Sequence, residues 1–249
     1  MDKKDKYVHS MDWTQKAGNY ELHNYRKYQY DLIAKYIGNN ILEVGSGEKG
    51  FTNEIVKNAK NIKRLISIEP SKTLFYLHKN KHQFPDYVSF HMKDLFDLSL
   101  KTFGSFDTVL FIHTLEHIKE DKKALDKACE LLRSGGFILI EVPALQFLFS
   151  SHDKALGHYR RYRKQHLLSL IDKKKLTVVD MWYQDFLGML GSLLFFKFKK
   201  ITLNSSSGVN LVKNQGRLYD NYVVPLQCFI EKHVRLPIGL SLTAVLEKK

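Results

Sequence analysis

The sequence predicts an α/β protein with a doubly wound, mostly parallel sheet. Short apolar segments typical of buried strands occur at residues 41–45, 65–69, 87–91, 106–112 and 137–142. Segments of helical character lie between several of them, near residues 50–59, 71–80 and 119–132. Short apolar strands that alternate with helices indicate a parallel sheet that is covered on both faces.

The composition limits the class of protein. With 249 residues, the chain is long enough for one large α/β domain or for a domain with an insertion. Apolar residues make up 44% of the chain, so a normal hydrophobic core is expected. Cys129 and Cys228 form no C-x-x-C pair, which argues against a disulfide framework or a structural zinc site.

The formal net charge of +13 favours acidic partners, namely nucleic acid, an anionic membrane face or a phosphorylated substrate. A lysine-rich source proteome would give the same excess. The first ten residues, MDKKDKYVHS, lack the apolar core of a secretory signal, and no apolar run approaches the ~20 residues that span a bilayer. We therefore expect a cytoplasmic protein that is soluble or peripheral on the cytoplasmic membrane face.

One domain is expected over residues 1–249. Its parts are an N-terminal helical segment, a cofactor-binding core, an apolar and helical insertion, and a last strand, at residues 1–38, 39–183, 184–238 and 239–249. The insertion contains FLGMLGSLLFF, followed by Lys197, Lys199 and Lys200. Residues 186–200 are therefore expected either to contact an anionic membrane surface or to form a buried lid or dimer helix.

A glycine-rich turn follows the first predicted strand in the segment ILEVGSGEKGFT. Gly45, Gly47 and Gly50 form a G-x-G-x-x-G pattern between a strand and a helix, which is typical of nucleoside cofactor sites. Glu69 lies 19 residues beyond Gly50, where a carboxylate can accept hydrogen bonds from a ribose diol. Glu69 would equally suit the cap of the helix that begins at Pro70. The pattern alone does not distinguish a dinucleotide from another nucleoside cofactor.

Two acidic residues favour a cofactor without a pyrophosphate. Glu43 lies inside the first strand, where a carboxylate would crowd a pyrophosphate but suit a cationic amino-acid group. Asp94 follows the third strand and is placed to accept a hydrogen bond from an adenine amino group, or to serve as a turn residue.

Four ordered segments resemble a class I S-adenosylmethionine-dependent methyltransferase over about residues 40–143. They are ILEVGSGEKGFT, ISIEPS, KDLFDL and FDTVLFIHTLEHIKEDKKALDKACELLRSGGFILIEVP. The resemblance implies a Rossmann-like, seven-stranded sheet with an antiparallel last strand and a helical insertion before it. It also implies S-adenosyl-L-methionine as the cofactor, bound by Glu43, Gly45, Gly47, Glu69, Asp94, Leu95 and His113.

The segments SSHDKALGHYRRYRKQHLLSLI and LPIGLSLTAVLE are similar to a branch associated with glycan, lipid or natural-product biosynthesis. This similarity implies methyl transfer to an oxygen or nitrogen atom of a small-molecule, saccharide or lipid-linked acceptor. Two departures concern the acceptor side: Arg163 and Lys164 stand where such relatives place a Ser or Thr, and DKKKL replaces a usual glycine before the sixth strand.

An alcohol or ammonium acceptor must lose a proton during methyl transfer, and histidine suits the role of base. His158, in the loop after the fifth strand, is our first candidate, and His113 is the second catalytic candidate. For His117, a structural role at the start of the next helix and a functional role both remain open. A metal site is not expected, because His152, Asp153 and His158 are poorly spaced for one.

The segment HYRRYRK predicts acceptor contacts. His152, Tyr159, Arg160 and Arg161 are the candidate substrate-binding residues. The arginines would form an anion clamp for a phosphate or carboxylate, or would pair with local acids on a solvated loop.

Two other function classes remain as alternatives. The first is an NAD(P)-dependent oxidoreductase, although no Y-x-x-x-K pair and no second substrate domain stand out. The second is a cofactor-binding or RNA-binding relative without catalysis. Methylation of nucleic acid is not expected, because IHTL stands after the fourth strand in place of an N-P-P-Y-like tetrad. The sequence does not indicate an oligomeric state.

Overall fold

The computed structural model describes residues 22–77, 83–193 and 216–249, and a seven-stranded sheet forms its centre. The strands are β1 (Asn40–Val44), β2 (Arg64–Ile68), β3 (Val88–His91), β4 (Phe106–Ile112), β5 (Leu132–Pro143), β6 (Leu176–Gln184) and β7 (Ser241–Lys248). Their order is β3-β2-β1-β4-β5-β7-β6. All neighbours are parallel except the two pairs that include β7. The predicted doubly wound, Rossmann-like fold with an antiparallel last strand is confirmed.

Both faces of the sheet are apolar because alternate residues of each strand point to opposite sides. Leu42, Val109 and Ile138 belong to one hydrophobic cluster, and their neighbours Ile41 and Leu110 belong to the other. All five are fully buried. This arrangement explains why the strands appear as continuous apolar runs in the sequence.

Nine α-helices lie wholly within the described residues. They are α1 (His23–Ile33), α2 (Gly50–Asn58), α3 (Lys72–Leu77), α4 (Leu100–Phe103), α5 (Asp121–Leu131), α6 (Ser151–Ala155), α7 (Lys164–Leu170), α8 (Phe186–Ser192) and α9 (Val224–His233). A π-helical turn, Tyr219–Val223, leads into α9. Pro225 lies in the first turn of α9, where the missing N–H of a proline removes no helical hydrogen bond.

The predicted insertion is described only in part, because residues 194–215, which include Lys197, Lys199 and Lys200, lie outside the described residues. Its first helix, α8, buries Met189 against the core and leaves Leu190 40% exposed. Among the described helices, none is both long and apolar enough to cross a membrane.

Polar contacts, partly or fully buried, join the insertion to α1. The carboxylate of Asp220 accepts hydrogen bonds from the backbone N–H groups of Asn24 (3.2 Å) and Tyr25 (2.8 Å). Leu22, at the N cap of α1, has no side chain that could do so. Glu231 of α9 accepts a hydrogen bond from Tyr28 of α1. A residue distant in sequence therefore caps α1.

Replacing Asp220 with alanine should lower the free energy of unfolding by about 0.5–2 kcal/mol, because two N–H groups at the start of α1 would lose their capping acceptor. Denaturant unfolding followed by circular dichroism measures this change. Asp220→Asn keeps one carbonyl acceptor and should cost less. Equal stability of wild type and Asp220→Ala would contradict the assigned cap.

Candidate functional site

A cavity of about 570 Å³ lies at the carboxyl ends of the parallel strands, the usual position of ligands in open α/β sheets. Residues that follow β1, β2, β3 and β4 line it, together with residues of the loop after β5. Of the residues predicted as functional, it brings together Gly45, Gly47, Glu69, Asp94, Leu95, His113, His158 and Tyr159.

The glycine turn after β1 is fixed by backbone geometry. Gly45 has φ +78°, and a Cβ atom there would lie 2.6 Å from Cγ2 of Thr114. Gly47 has φ +47°, yet a Cβ atom there would meet no atom within 4 Å. A glycine is therefore required at position 45 because of both its backbone conformation and its close packing, whereas Gly47 faces open space.

Glu69 joins the glycine turn to the start of α3. Its carboxylate accepts hydrogen bonds from the N–H of Gly47 (3.0 Å) and from the N–H of Ser71 (2.9 Å). The residue is only 4% exposed and lines the cavity. The helix-capping contact considered from the sequence is thus present, and binding of a ribose stays a prediction.

Asp94 begins a short 3₁₀ turn, Leu95–Asp97, at which its Oδ1 accepts a hydrogen bond from the N–H of Phe96 (3.1 Å). Leu95 is 2% exposed and Phe96 is 44% exposed, and both line the cavity. Phe96 was not singled out from the sequence. The turn therefore contributes a carboxylate, an aliphatic side chain and an aromatic ring to the cavity wall.

Glu43 differs from the expectation that it lines the cofactor site. Its carboxylate accepts hydrogen bonds from the hydroxyls of Thr52 (2.5 Å) and Ser67 (2.6 Å), and it is absent from the cavity wall. Strand alternation is the reason: the next residue, Val44, points to the cavity and Glu43 to the other face. Burial raises the pKa of Glu43, although these hydrogen bonds oppose the shift.

His113 lies between two buried carboxylates. Its Nε2 is 3.1 Å from Oε1 of Glu141, and its Nδ1 is 3.6 Å from Oε1 of Glu116. Burial lowers the pKa of His113, but the two carboxylates outweigh burial and raise that pKa to about 10. His113 is therefore protonated near neutral pH, and the geometry does not support its predicted role as a base. It does line the cavity.

His158 is oriented by a buried carboxylate. Its Nδ1 lies 3.0 Å from Oδ1 of Asp153, which also accepts a hydrogen bond from Nε of Arg161 (2.7 Å). Burial raises the pKa of Asp153, but these bonds and the backbone of Ser150 hold it well below its usual range. An ionised Asp153 favours a proton on Nδ1 and leaves Nε2 of His158 as the acceptor.

Of the two possibilities for the arginines of HYRRYRK, an anion clamp or pairing with local acids, the structure shows the pairing. Arg160 pairs with Asp121 and donates to the carbonyl of Lys119 (2.8 Å), while Arg161 pairs with Asp153. Neither arginine lines the cavity, because both guanidinium groups form ion pairs with buried aspartates. Tyr159 does line it and is 46% exposed. His152 lies in α6, and its side chain is outside the described part of the structure.

Glu116 is a cavity residue that sequence reasoning did not single out. It precedes His117 in a 3₁₀ turn, Leu115–His117, directly after β4. Its side chain is fully buried, and neither carboxylate oxygen has a hydrogen-bond partner among the described residues. The adjacent Glu116 and His117 directly after the fourth strand were the signal in the sequence that could have identified it as a cavity residue. His117 also lines the cavity, and its ring packs against that of His158 at 4.7 Å between centroids.

Comparison with known protein families gives one match, in which residues 42–140 fit the family described as "Methyltransferase domain". No curated protein sequence matches the chain.

Solved structures share the fold at low sequence identity. The plantazolicin methyltransferase BpumL, in complex with SAH, is 15% identical, with 100% of this chain and 91% of that chain covered and a TM-score of 0.59. Coclaurine N-methyltransferase, bound to N-methylheliamine and SAH, is 15% identical, with coverages of 89% and 72% and a TM-score of 0.56. N-methyltransferase NodS from Bradyrhizobium japonicum WM9 is also 15% identical, with coverages of 91% and 96% and a TM-score of 0.53.

The matched segment contains the glycine turn, Glu69, Asp94 and His113, so it spans most of the cavity wall. Residues 42–140 therefore match a methyltransferase domain, and the chain shares its fold with solved methyltransferases, two of which hold SAH.

Proposed function

We propose that this protein is an S-adenosylmethionine-dependent methyltransferase that transfers a methyl group to an oxygen or nitrogen atom of a small-molecule, saccharide or lipid-linked acceptor bound beside His158. The observation that carries this proposal is the pairing of His158 with the buried, ionised Asp153 at the cavity wall. A histidine held in this way has one nitrogen fixed and the other directed to accept a proton.

The reaction requires little chemistry from the protein beyond position and proton removal. Methyl transfer from a sulfonium is an in-line displacement that leaves a neutral sulfide. Holding the nucleophile and the methyl carbon in line supplies most of the rate enhancement. His158 would take the proton that an alcohol or ammonium acceptor loses, and Leu156 and Tyr159 would form the neighbouring wall.

For the cofactor, we propose that Gly45 and Gly47 approach its methionine group, that Glu69 binds the ribose and that Asp94 and Leu95 contact the adenine. The open space beside Gly47 and the buried carboxylate of Glu69 at the cavity support this placement. His113 is held as a cation between Glu116 and Glu141, and it would also attract the carboxylate of the methionine group. Glu43 would act indirectly, by holding β1 to α2 and β2.

Glu69→Ala and Asp94→Ala should each weaken binding of S-adenosylhomocysteine by about 10- to 100-fold, the range for one lost charged hydrogen bond. Calorimetric titration measures the affinity, and Asp126→Ala on the exposed side of α5 is the matched control. Circular dichroism should show folded protein in all three variants. Unchanged affinity in both site variants would remove the assignment.

Two of the solved structures with this fold are a plantazolicin methyltransferase and coclaurine N-methyltransferase, which supports a small-molecule or natural-product acceptor here. A saccharide or lipid-linked acceptor is consistent with the similarity of residues 150–171. If the acceptor is lipid-linked, the basic segment at 186–200 would bring the enzyme to an anionic membrane surface. An acceptor screen with a labelled methyl donor tests the proposal, and transfer to none of these classes would reject it.

A further inference from the structure

We propose that Glu116, His117 and His158 form a binding site for one divalent transition-metal ion of the Zn²⁺ type at the acceptor end of the cavity. Two loops bring the three residues together, the turn after β4 and the loop after β5. Their ligand atoms all lie within 4.8 Å of one another. Binding of the metal itself does not depend on the proposed function.

The carboxylate of Glu116 is the strongest indication. It is fully buried, lines the cavity and has no hydrogen-bond donor on either oxygen among the residues that the structure describes. A buried carboxylate in this state is costly, and a metal ion would satisfy it. The nearest cation, His113, reaches Oε1 only at 3.6 Å and is shared with Glu141.

His158 has the second feature of a metal ligand. Metal-binding histidines commonly donate their other ring N–H to a carboxylate, which fixes the ring and raises the basicity of the ligating nitrogen. Asp153 accepts this bond from Nδ1 at 3.0 Å and is itself held by Arg161 and Ser150. The remaining nitrogen, Nε2, is the one that can ligate.

The ligand types favour zinc over magnesium or calcium. Two imidazoles and one carboxylate form a set that Zn²⁺ binds, whereas Mg²⁺ and Ca²⁺ prefer oxygen ligands. Metal–ligand bonds of about 2.0–2.2 Å place tetrahedral ligand atoms roughly 3.4 Å apart. The ligand atoms therefore need to approach one another by up to about 1.4 Å when the metal binds.

A three-residue site leaves one coordination position open to the cavity. What this open position means for catalysis rests on the proposed function. A metal there would occupy Nε2 of His158, so that His158 could not accept a proton while it ligates. An acceptor oxygen at the open position would instead have its pKa lowered by the metal. The site thus favours a hydroxyl acceptor when metal is bound.

Calorimetric titration of untagged, EDTA-treated and desalted protein with ZnCl₂ tests the site. Wild type should bind one ion per chain, and Glu116→Gln and His158→Gln should each weaken binding at least tenfold. His233→Gln, at an exposed histidine of α9, is the matched control and should bind as wild type. Asp153→Asn should weaken binding by about 10- to 100-fold, as is usual for the partner of a ligating histidine.

The same samples, titrated with S-adenosylhomocysteine, separate the two proposals. Retained cofactor affinity in variants that lose zinc would show a folded protein with a specific metal site. Wild type that binds S-adenosylhomocysteine but no zinc would overturn the metal site and leave the proposed function standing. Zinc binding of equal strength in wild type, Glu116→Gln and His158→Gln would overturn it as well.

Discussion

Replacing His158 with alanine should lower kcat by about 10²- to 10⁴-fold, the usual contribution of a positioned acid or base. The loss is expected because Asp153 holds Nδ1 of His158, which leaves Nε2 at the cavity wall to accept a proton. Affinity for S-adenosylhomocysteine should stay within about twofold of wild type, since His158 belongs to the acceptor side. Turnover is measured with the acceptor that the screen identifies, after treatment with EDTA.

Two variants complete this test. Asp153→Asn keeps the shape of the buried side chain but loses its charge, so turnover should fall while the fold is retained. His166→Ala alters a histidine that stacks on Tyr162 away from the cavity wall, and it should leave turnover unchanged. Full activity of His158→Ala would reject His158 as the base.

Replacing Gly45 with valine should reduce binding of S-adenosylhomocysteine by more than about 100-fold. A β-branched residue is strained at φ +78°, and its Cβ would lie 2.6 Å from the side chain of Thr114. The turn would have to move away from the position at which its N–H groups meet Ile68 and Glu69. Calorimetry measures the affinity, and thermal unfolding reports whether the sheet remains intact.

Gly47→Ala separates backbone strain from crowding. Its φ of +47° makes alanine unfavourable by roughly 1–2 kcal/mol, but its Cβ would meet no atom within 4 Å. It should therefore weaken binding less than Gly45→Val does. Wild-type affinity in Gly45→Val would contradict the geometry of the turn.

The fold and the cofactor side of the cavity could be predicted because their signals are local. The glycine turn follows its strand directly, and Glu69 and Asp94 each follow the end of the next strand in the chain. Parallel strands carry such residues to one edge of the sheet. Strand alternation was also available from the sequence, and it would have directed Glu43 away from the face of Val44.

The acceptor side depends on contacts between distant residues, which no local pattern encodes. Asp121 forms an ion pair with Arg160, and Asp153 contacts both Arg161 and His158. The two arginines that suggested an anion clamp therefore neutralise buried acids instead. The cap of α1 by Asp220 spans 195 residues. Glu116 and His158 meet only because the loops after β4 and β5 lie side by side on the sheet.

We expect the glycine turn, Glu69 and Asp94 to bind S-adenosyl-L-methionine and not the pyrophosphate of a dinucleotide. The most direct test is calorimetric titration of the purified protein with S-adenosylhomocysteine and, separately, with NAD. We predict binding of one S-adenosylhomocysteine per chain and no heat of binding with NAD. Binding of NAD without binding of S-adenosylhomocysteine would contradict this assignment of the site and indicate a dinucleotide at the turn.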